Sequence, residues 1–485
     1  MSEPKKTESF AGNVMKYSIA TYLGFGISGA ALIIKGVLPA ESYAVPASFM
    51  AYTMSLMNVG MLGLDQSLLR FYHEPPAGST GRSMFAACTR LSVLVMLLVG
   101  GIGSIFFAKP LAAAFGLGVN GAGLVPFLFL NAALYMLVRY LNVLLRLENN
   151  VRAYTTETLW MQACLIYLLP GFVTQDARAF VLGAVCSFAG VAVFYWRRAS
   201  KGQTKEAPVR GLRPYAHIYR AALPYGIVLA PAAILIPLYR AICLSFLGNY
   251  APAAEQGSFD FAYTLAQLVT TIQAGFSTYW GPYVYAHYRT EQERIGRIHD
   301  LLNLLIFGFF CLLVMFEDII FIIFPAKSAC LPYFPLMMLA VVFSILCEGT
   351  VYGNTIARKP FQDTIGTAVG VAANIAVCAV LVPRFGVMGA AVGLVAANAT
   401  MFLYRTVTGQ YYYRTIPSFS RTICGFLLAV GVAVIGVVFA HNFIIKFVLT
   451  AAILFIYCNI YRAQLYKLWQ IFMGFVRRYL LHSQA

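Results

Sequence analysis

Charged residues are scarce in this chain. They make up 11% of its 485 residues, where a soluble globular chain carries about 25%. Hydrophobic residues make up 60%, and the mean hydropathy is +0.74. This excludes an ordinary soluble domain and reads as an all-α polytopic membrane protein. Acid is scarcer than base, with 18 Asp and Glu against 35 Lys and Arg, a net charge of +17. No soluble basic domain exists to carry that surplus to nucleic acid, so nucleic acid is excluded as a partner. Nucleotide and hydrolase motifs are also missing: no P-loop, no GxSxG, no HExxH, no dinucleotide fingerprint. The chain therefore reads as a non-enzyme with no cofactor and no ATP site of its own. The ten cysteines are scattered, without a CxxC pair or a His/Cys cluster at ligand spacing, so neither a metal site nor a structural disulfide is expected.

What is present is a series of apolar runs. A span needs about 20 apolar residues. That criterion gives fourteen spans, at 16–38, 45–64, 84–108, 122–146, 155–174, 178–196, 219–246, 256–282, 299–324, 331–355, 362–383, 387–409, 421–440 and 443–461. The basic residues then fall mainly in alternate loops, including Arg70, Arg82, Arg152, Arg197 to Arg213, Arg289 to Arg297, and Arg358 with Lys359. The intervening loops hold few: Lys109, Arg178, Lys327, Arg384 and Lys446. The positive-inside rule then places both termini in the cytoplasm, and lipid head groups are the expected partner of the basic side. Glu317 and Asp318, near the outer end of the ninth span, are expected to be solvated. Residues 461–483 mix aromatic and basic residues and read as an amphipathic helix at the inner interface.

The fourth span carries a polar stripe, Asn131, Tyr135, Arg139, Asn142 and Arg146, spaced to share one helical face. Lipid cannot solvate a deep arginine, so the stripe must face protein or water. Ser344, Glu348, Tyr352, Thr355 and Lys359 repeat the spacing at an offset of 213. Ala51-Tyr52-Thr53 and Ala262-Tyr263-Thr264 repeat at 211. With the basic linker at 197–213, these echoes suggest two parallel six-helix lobes related by an axis along the membrane normal. The expected division is 1–205, 206–415, and an extra helix pair with a basic tail at 416–485. Candidate cavity residues are Asn131, Tyr135, Arg139, Asn142, Arg146, Arg70, Arg240 and Tyr352. Arg139 either binds an anionic cargo or pairs with Asp65. Asp65 has Arg70 as a second candidate partner. Glu348 either pairs with an arginine or binds H⁺ or Na⁺ for coupling.

Two stretches resemble a known family. One runs from Leu38-Pro39-Ala40-Glu41-Ser42-Tyr43-Ala44 to Arg70-Phe71-Tyr72. The other contains Asn374 and then Pro383-Arg384-Phe385-Gly386-Val387-Met388-Gly389-Ala390-Ala391. Both are similar to the polysaccharide-flippase branch of the multidrug/oligosaccharidyl-lipid/polysaccharide exporter superfamily. Gly386 and Gly389 suit a tight outer turn. The resemblance implies a twelve-helix core in two lobes and a bacterial cytoplasmic-membrane location. Its implied cargo is a polyprenyl-pyrophosphate-linked glycan, flipped from inner to outer leaflet by alternating access, with a glycan polymerase as a further partner. Two alternatives remain open at this point: a cation-coupled multidrug exporter of the same superfamily, and a non-transporting envelope-assembly scaffold.

Overall fold

The structure is a computed structural model. It describes residues 44–466 except 74, 119–120, 149, 168–175, 201–212, 358 and 360, with a few isolated positions nearer the ends. The first expected span, most of the basic linker and most of the 461–483 tail lie outside the described residues.

The described chain is helical, with no strand among the described residues. Its helices are α1 (Ala44–Met61), α2 (Leu64–Phe71), α3 (Gly81–Phe106), α4 (Ala108–Ala114), α5 (Val125–Leu147), α6 (Val151–Tyr167), α7 (Ala177–Ser200) and α8 (Ala216–Tyr250). They continue as α9 (Ala253–His287), α10 (Gln292–Ile323), α11 (Phe334–Thr350), α12 (Tyr352–Ile356), α13 (Phe361–Tyr412), α14 (Phe419–Val438) and α15 (Phe443–Ile460). Every expected span from the second to the fourteenth overlaps a helix, the fifth as far as Tyr167, with its residues 168–174 outside the described ones. Among the described residues, eight helices are individually long and apolar enough to cross a membrane, and the bent α1–α2 pair makes a ninth candidate.

Local chemistry sets the ends. Thr80 and Ser83 form a reciprocal capping box at the start of α3, satisfying two amides that the helix leaves orphaned. Asn442 caps another helix: its Oδ1 accepts the Ile445 N–H at 3.2 Å and starts α15. A proline in the first turn opens both α5 and α11, where its missing N–H costs nothing.

Two backbone breaks depart from plain rods. The second span runs on as α2 after a 55° bend, with Leu62 at φ 49° and Gly63 at φ 69°. A Cβ on Gly63 would collide with the Gly226 carbonyl of α8, and the Ser67 hydroxyl donates to the Ala222 carbonyl at 2.7 Å. The 52-residue α13 is two spans joined at Gly386, which has φ 51° and ψ −127°. This is the turn expected at Pro383 to Ala391.

The chain forms two compact units, Met1–Tyr279 with Pro360–Met401, and Trp280–Lys359 with Phe402–Ala485. In the first, α5 is a hub that packs on α1, α3, α6 and α7, while α8 packs on α1 and α2. In the second, α10 is the hub and packs on α11, α14 and α15. Phe343, Phe402 and Phe426 stack there with near-parallel rings, centroids 4.7–6.2 Å apart.

Candidate functional site

The polar stripe of α5 divides along its length. At about 100° per residue the five positions cover an arc of roughly 80°, with the asparagines at one edge and Arg139 at the other. The asparagine edge faces helices. Asn131 is buried, and its amide donates to Thr53 Oγ1 at 3.2 Å on α1. Asn142 donates to Glu157 Oε2 at 2.7 Å and to Thr158 Oγ1 at 3.1 Å, both on α6. The arginine edge faces outward: Arg139 and Arg146 are exposed. Tyr135, between the edges, is half-buried and lies against the Phe188 ring at 5.0 Å.

Glu157 was not among the residues singled out from the sequence. It is fully buried, one oxygen is held by Asn142, and Oε1 has no hydrogen-bond partner. The Arg139 charge acts on it through space. The arrangement is a tethered buried carboxylate with an exposed guanidinium one turn along the neighbouring helix. Among the described residues Arg139 makes no hydrogen bond and no ion pair within 4 Å. It is thus available to an anion arriving from outside the unit.

The alternative partner for Arg139 does not take that role. Asp65 is buried on α2, but it accepts from Gln66 Nε2 at 2.9 Å and pairs with neither Arg139 nor Arg70. Arg70 is exposed, with its guanidinium 5.5 Å from the Phe71 ring. The next residue of that motif, Tyr72, donates to Glu148 Oε1 at 3.1 Å, and Arg82 pairs with the same oxygen at 2.5 Å. This network ties the α2–α3 loop to the end of α5.

Arg240 on α8 has an internal counter-ion. It forms an ion pair with buried Asp260 of α9 and sits 5.1 Å from the Tyr263 ring. Asp260 also escaped the sequence reading, although it lies one turn before Tyr263 and Thr264, which were noted. Nearby, Asn374 donates to the Tyr239 carbonyl at 2.8 Å, and the Cys243 and Cys378 sulfurs approach to 3.8 Å as free thiols.

Tyr352 and Glu348 belong to the other unit. Tyr352 is buried on α12. Glu348 lies in helical backbone of α11, and its side chain is outside what is described. Lys359 donates to the Tyr412 hydroxyl at 3.2 Å. The same unit corrects the expectation for Glu317 and Asp318. Glu317 and Lys446 are both fully buried and paired at 2.9 Å, and Asp318 meets the same ammonium at 2.5 Å. The first turn of α15 carries the cation to them, so these acids are neutralised by packing.

No family model matches the chain, and no curated protein sequence matches it. Solved structures do. A structure of the lipid II flippase MurJ in an inward closed conformation aligns over 93% of this chain and 99% of its own, with TM-score 0.67 and 12% identity. An inward-facing multidrug resistance MATE family transporter of the MOP superfamily aligns over 81% of this chain and 97% of its own, with TM-score 0.51 and 15% identity. The chain is a multi-span membrane protein with the all-helical fold seen in the lipid II flippase and in a multidrug transporter of the MOP superfamily.

Proposed function

We propose that this protein is a flippase for a lipid-linked oligosaccharide, moving a polyprenyl-pyrophosphate glycan from the inner to the outer leaflet of a bacterial cytoplasmic membrane. The two sequence repeats, 1–205 and 206–415, act as lobes that alternate access to a shared cargo path, and both termini are cytoplasmic. The observation that carries the reading is Arg139: a guanidinium within a 23-residue apolar helix, exposed and, among the described residues, without an ion-pair partner within 4 Å. Placing arginine mid-span costs about 2.5–3.5 kcal/mol on insertion scales, and a leucine would fill the space without that cost. Phosphate oxygens suit the forked donors of a guanidinium. Arg146 lies two turns away, about 10 Å along the helix, and provides a second positive charge on the same side. The likeness to the lipid II flippase supports a lipid-linked cargo.

The test is leaflet sidedness of lipid-linked glycans in cells producing Arg139→Ala. Normal protein level with glycan retained on the cytoplasmic leaflet is the expected result. Loss of one charged hydrogen-bonding partner should slow flipping on the order of tenfold or more. Unchanged sidedness of every such lipid would sink the proposal.

A second reading is favoured by one observation, the unsatisfied Oε1 of buried Glu157. A carboxylate in that setting could take up a cation, as a cation-coupled multidrug exporter requires. Efflux of cationic dye from proteoliposomes, dependent on an H⁺ or Na⁺ gradient and abolished by Glu157→Gln, would put this reading first.

A further inference from the structure

Helix α15 packs on α10, both within the second unit. Toward its C-terminal end α10 carries two consecutive acids, Glu317 and Asp318, and the first turn of α15 carries Lys446. The Lys446 ammonium lies 2.9 Å from Glu317 Oε1 and 2.5 Å from Asp318 Oδ2. The side chains of Glu317 and Lys446 are fully buried, while that of Asp318 is 21% exposed. The rings of the adjacent residues, Phe316 and Phe447, meet at 5.8 Å.

Two carboxylates thus share one ammonium. With all three ionised, the cluster carries one net negative charge away from water. A buried charge is tolerated when it is paired and hydrogen-bonded, and here the pairing is one cation short. Two atoms show the shortfall. Glu317 Oε2 is buried with no hydrogen-bond partner. Thr450 Oγ1 is buried and equally unpartnered, one turn from Lys446 on the same face of α15. Other titratable groups of these elements stand elsewhere. On α10, Cys311 is about 9 Å back along the helix, with His299 and Asp300 near the start. Lys327 and Cys330 lie in the segment after α10, and Tyr333 and His441 precede α11 and α15. Cys347 and Glu348 are about 20 Å from the start of α11. Arg421 and Cys424 open α14, and Tyr457 and Cys458 close α15. Through space, Lys446 and Asp318 are the charges that act on Glu317.

We propose that this cluster is a proton-binding site. One proton, shared between Glu317 and Asp318, completes its neutrality and holds α15 to α10. Charge and ligand count select a proton over a metal ion. Lys446 already contacts both acids and repels a second cation. A hard metal ion takes about six oxygens, and the unpartnered ones here are Glu317 Oε2 and Thr450 Oγ1. A carboxylic acid needs one acceptor, which the Thr450 hydroxyl or the neighbouring carboxylate supplies. Two acids this close titrate as a unit, so the proton belongs to the pair. Asp318, the partly exposed member, is where it exchanges with water. The site is separate from the cargo reading, which rests on Arg139 in the first unit.

The experiment uses the purified full chain in neutral detergent at pH 7. Carboxylic acids show an infrared C=O band that ionised carboxylates lack, and its area counts bound protons. Glu317→Gln and Asp318→Asn should each remove one carboxyl equivalent from the wild-type band. The double variant should remove no more than either alone, because one shared proton can be lost only once. Each single variant keeps the side-chain volume and leaves Lys446 one carboxylate, so both are expected to fold, and thermal unfolding recorded alongside checks this. Other protonated acids are present in every sample and cancel in the differences. No loss in either single variant, or losses that add in the double, would overturn the assignment. A wild-type band that grows when Na⁺ is replaced by choline would make a metal ion the occupant and overturn it equally. No transport readout enters, so a failure here and a failure of the flippase reading are distinguishable.

Discussion

At the scale of single residues, the charges inside this protein sort by whether the protein supplies their partner. Arg240 has Asp260, and Lys446 has Glu317 and Asp318. Removing one member of a buried pair strands the other, at a cost of about 3–5 kcal/mol. Lys446→Met should therefore lower the stability of the purified protein by that order. The double change Lys446→Met with Glu317→Gln should recover most of it, as read from thermal unfolding in detergent. Lys327, in the segment between α10 and α11, is buried. Burial lowers its ammonium from the usual 10.5 to about 8. Between those pH values the unfolded chain binds more protons than the folded one, so stability rises with pH. Lys327→Met should raise the apparent Tm at pH 7, and the advantage should shrink as pH climbs from 8 to 10. A constant advantage across that range would contradict this account. The deep arginines were legible because a charge in an apolar run stands out. Their counter-ions were not. Asp260 lies 20 residues from Arg240 and Glu317 lies 129 from Lys446, and no spacing rule pairs residues on different helices. Glu157 fell near the expected start of a span, where an acid draws no notice.

At the scale of elements, hydropathy was enough to place the spans from the second onward. Lipid leaves the backbone no partner but its own helix. Backbone breaks were legible only where glycine and proline announced them. The Gly386 turn follows from the Pro383 to Ala391 pattern. The bend at Leu62–Gly63 does not, because it depends on the close approach of α8, a contact of long sequence separation. Gly386→Ala tests the turn. Its φ of 51° with ψ of −127° is costly for a residue with a Cβ, by about 1–3 kcal/mol. The new methyl would also meet the Glu255 carboxylate. The variant should unfold at lower temperature than wild type, and more so than Gly101→Ala on α3, where nothing lies within 4 Å of the added carbon. Equal shifts in the two variants would show that neither strain nor collision matters at Gly386.

At the scale of the whole molecule, the order of the chain and the grouping by packing follow different lines. The internal offsets and the basic linker suggest repeats that meet near residue 205. Compactness instead gathers 360–401 with residues 1–279. Sequence reveals duplication through local similarity, whereas packing depends on contacts that similarity does not encode. Topology is the property to test here. Single cysteines introduced at Ser79 and Asp176, in a background without accessible thiols, should label from opposite sides of the membrane, the first from the cytoplasm. Labelling of both from one side would remove the basis for the orientation. One contact also constrains how the chain assembles. The Val387 amide is capped by Glu255, 132 residues earlier, with a donor–acceptor distance of 3.0 Å. At synthesis rates of about 5–20 residues per second, the carboxylate waits roughly 7–26 s for its amide to be made. The turn between the two halves of α13 therefore closes only after the intervening spans have been synthesised. A Glu255→Gln chain should insert with normal topology and fail, if at all, at this late step, leaving α13 open to protease at its turn.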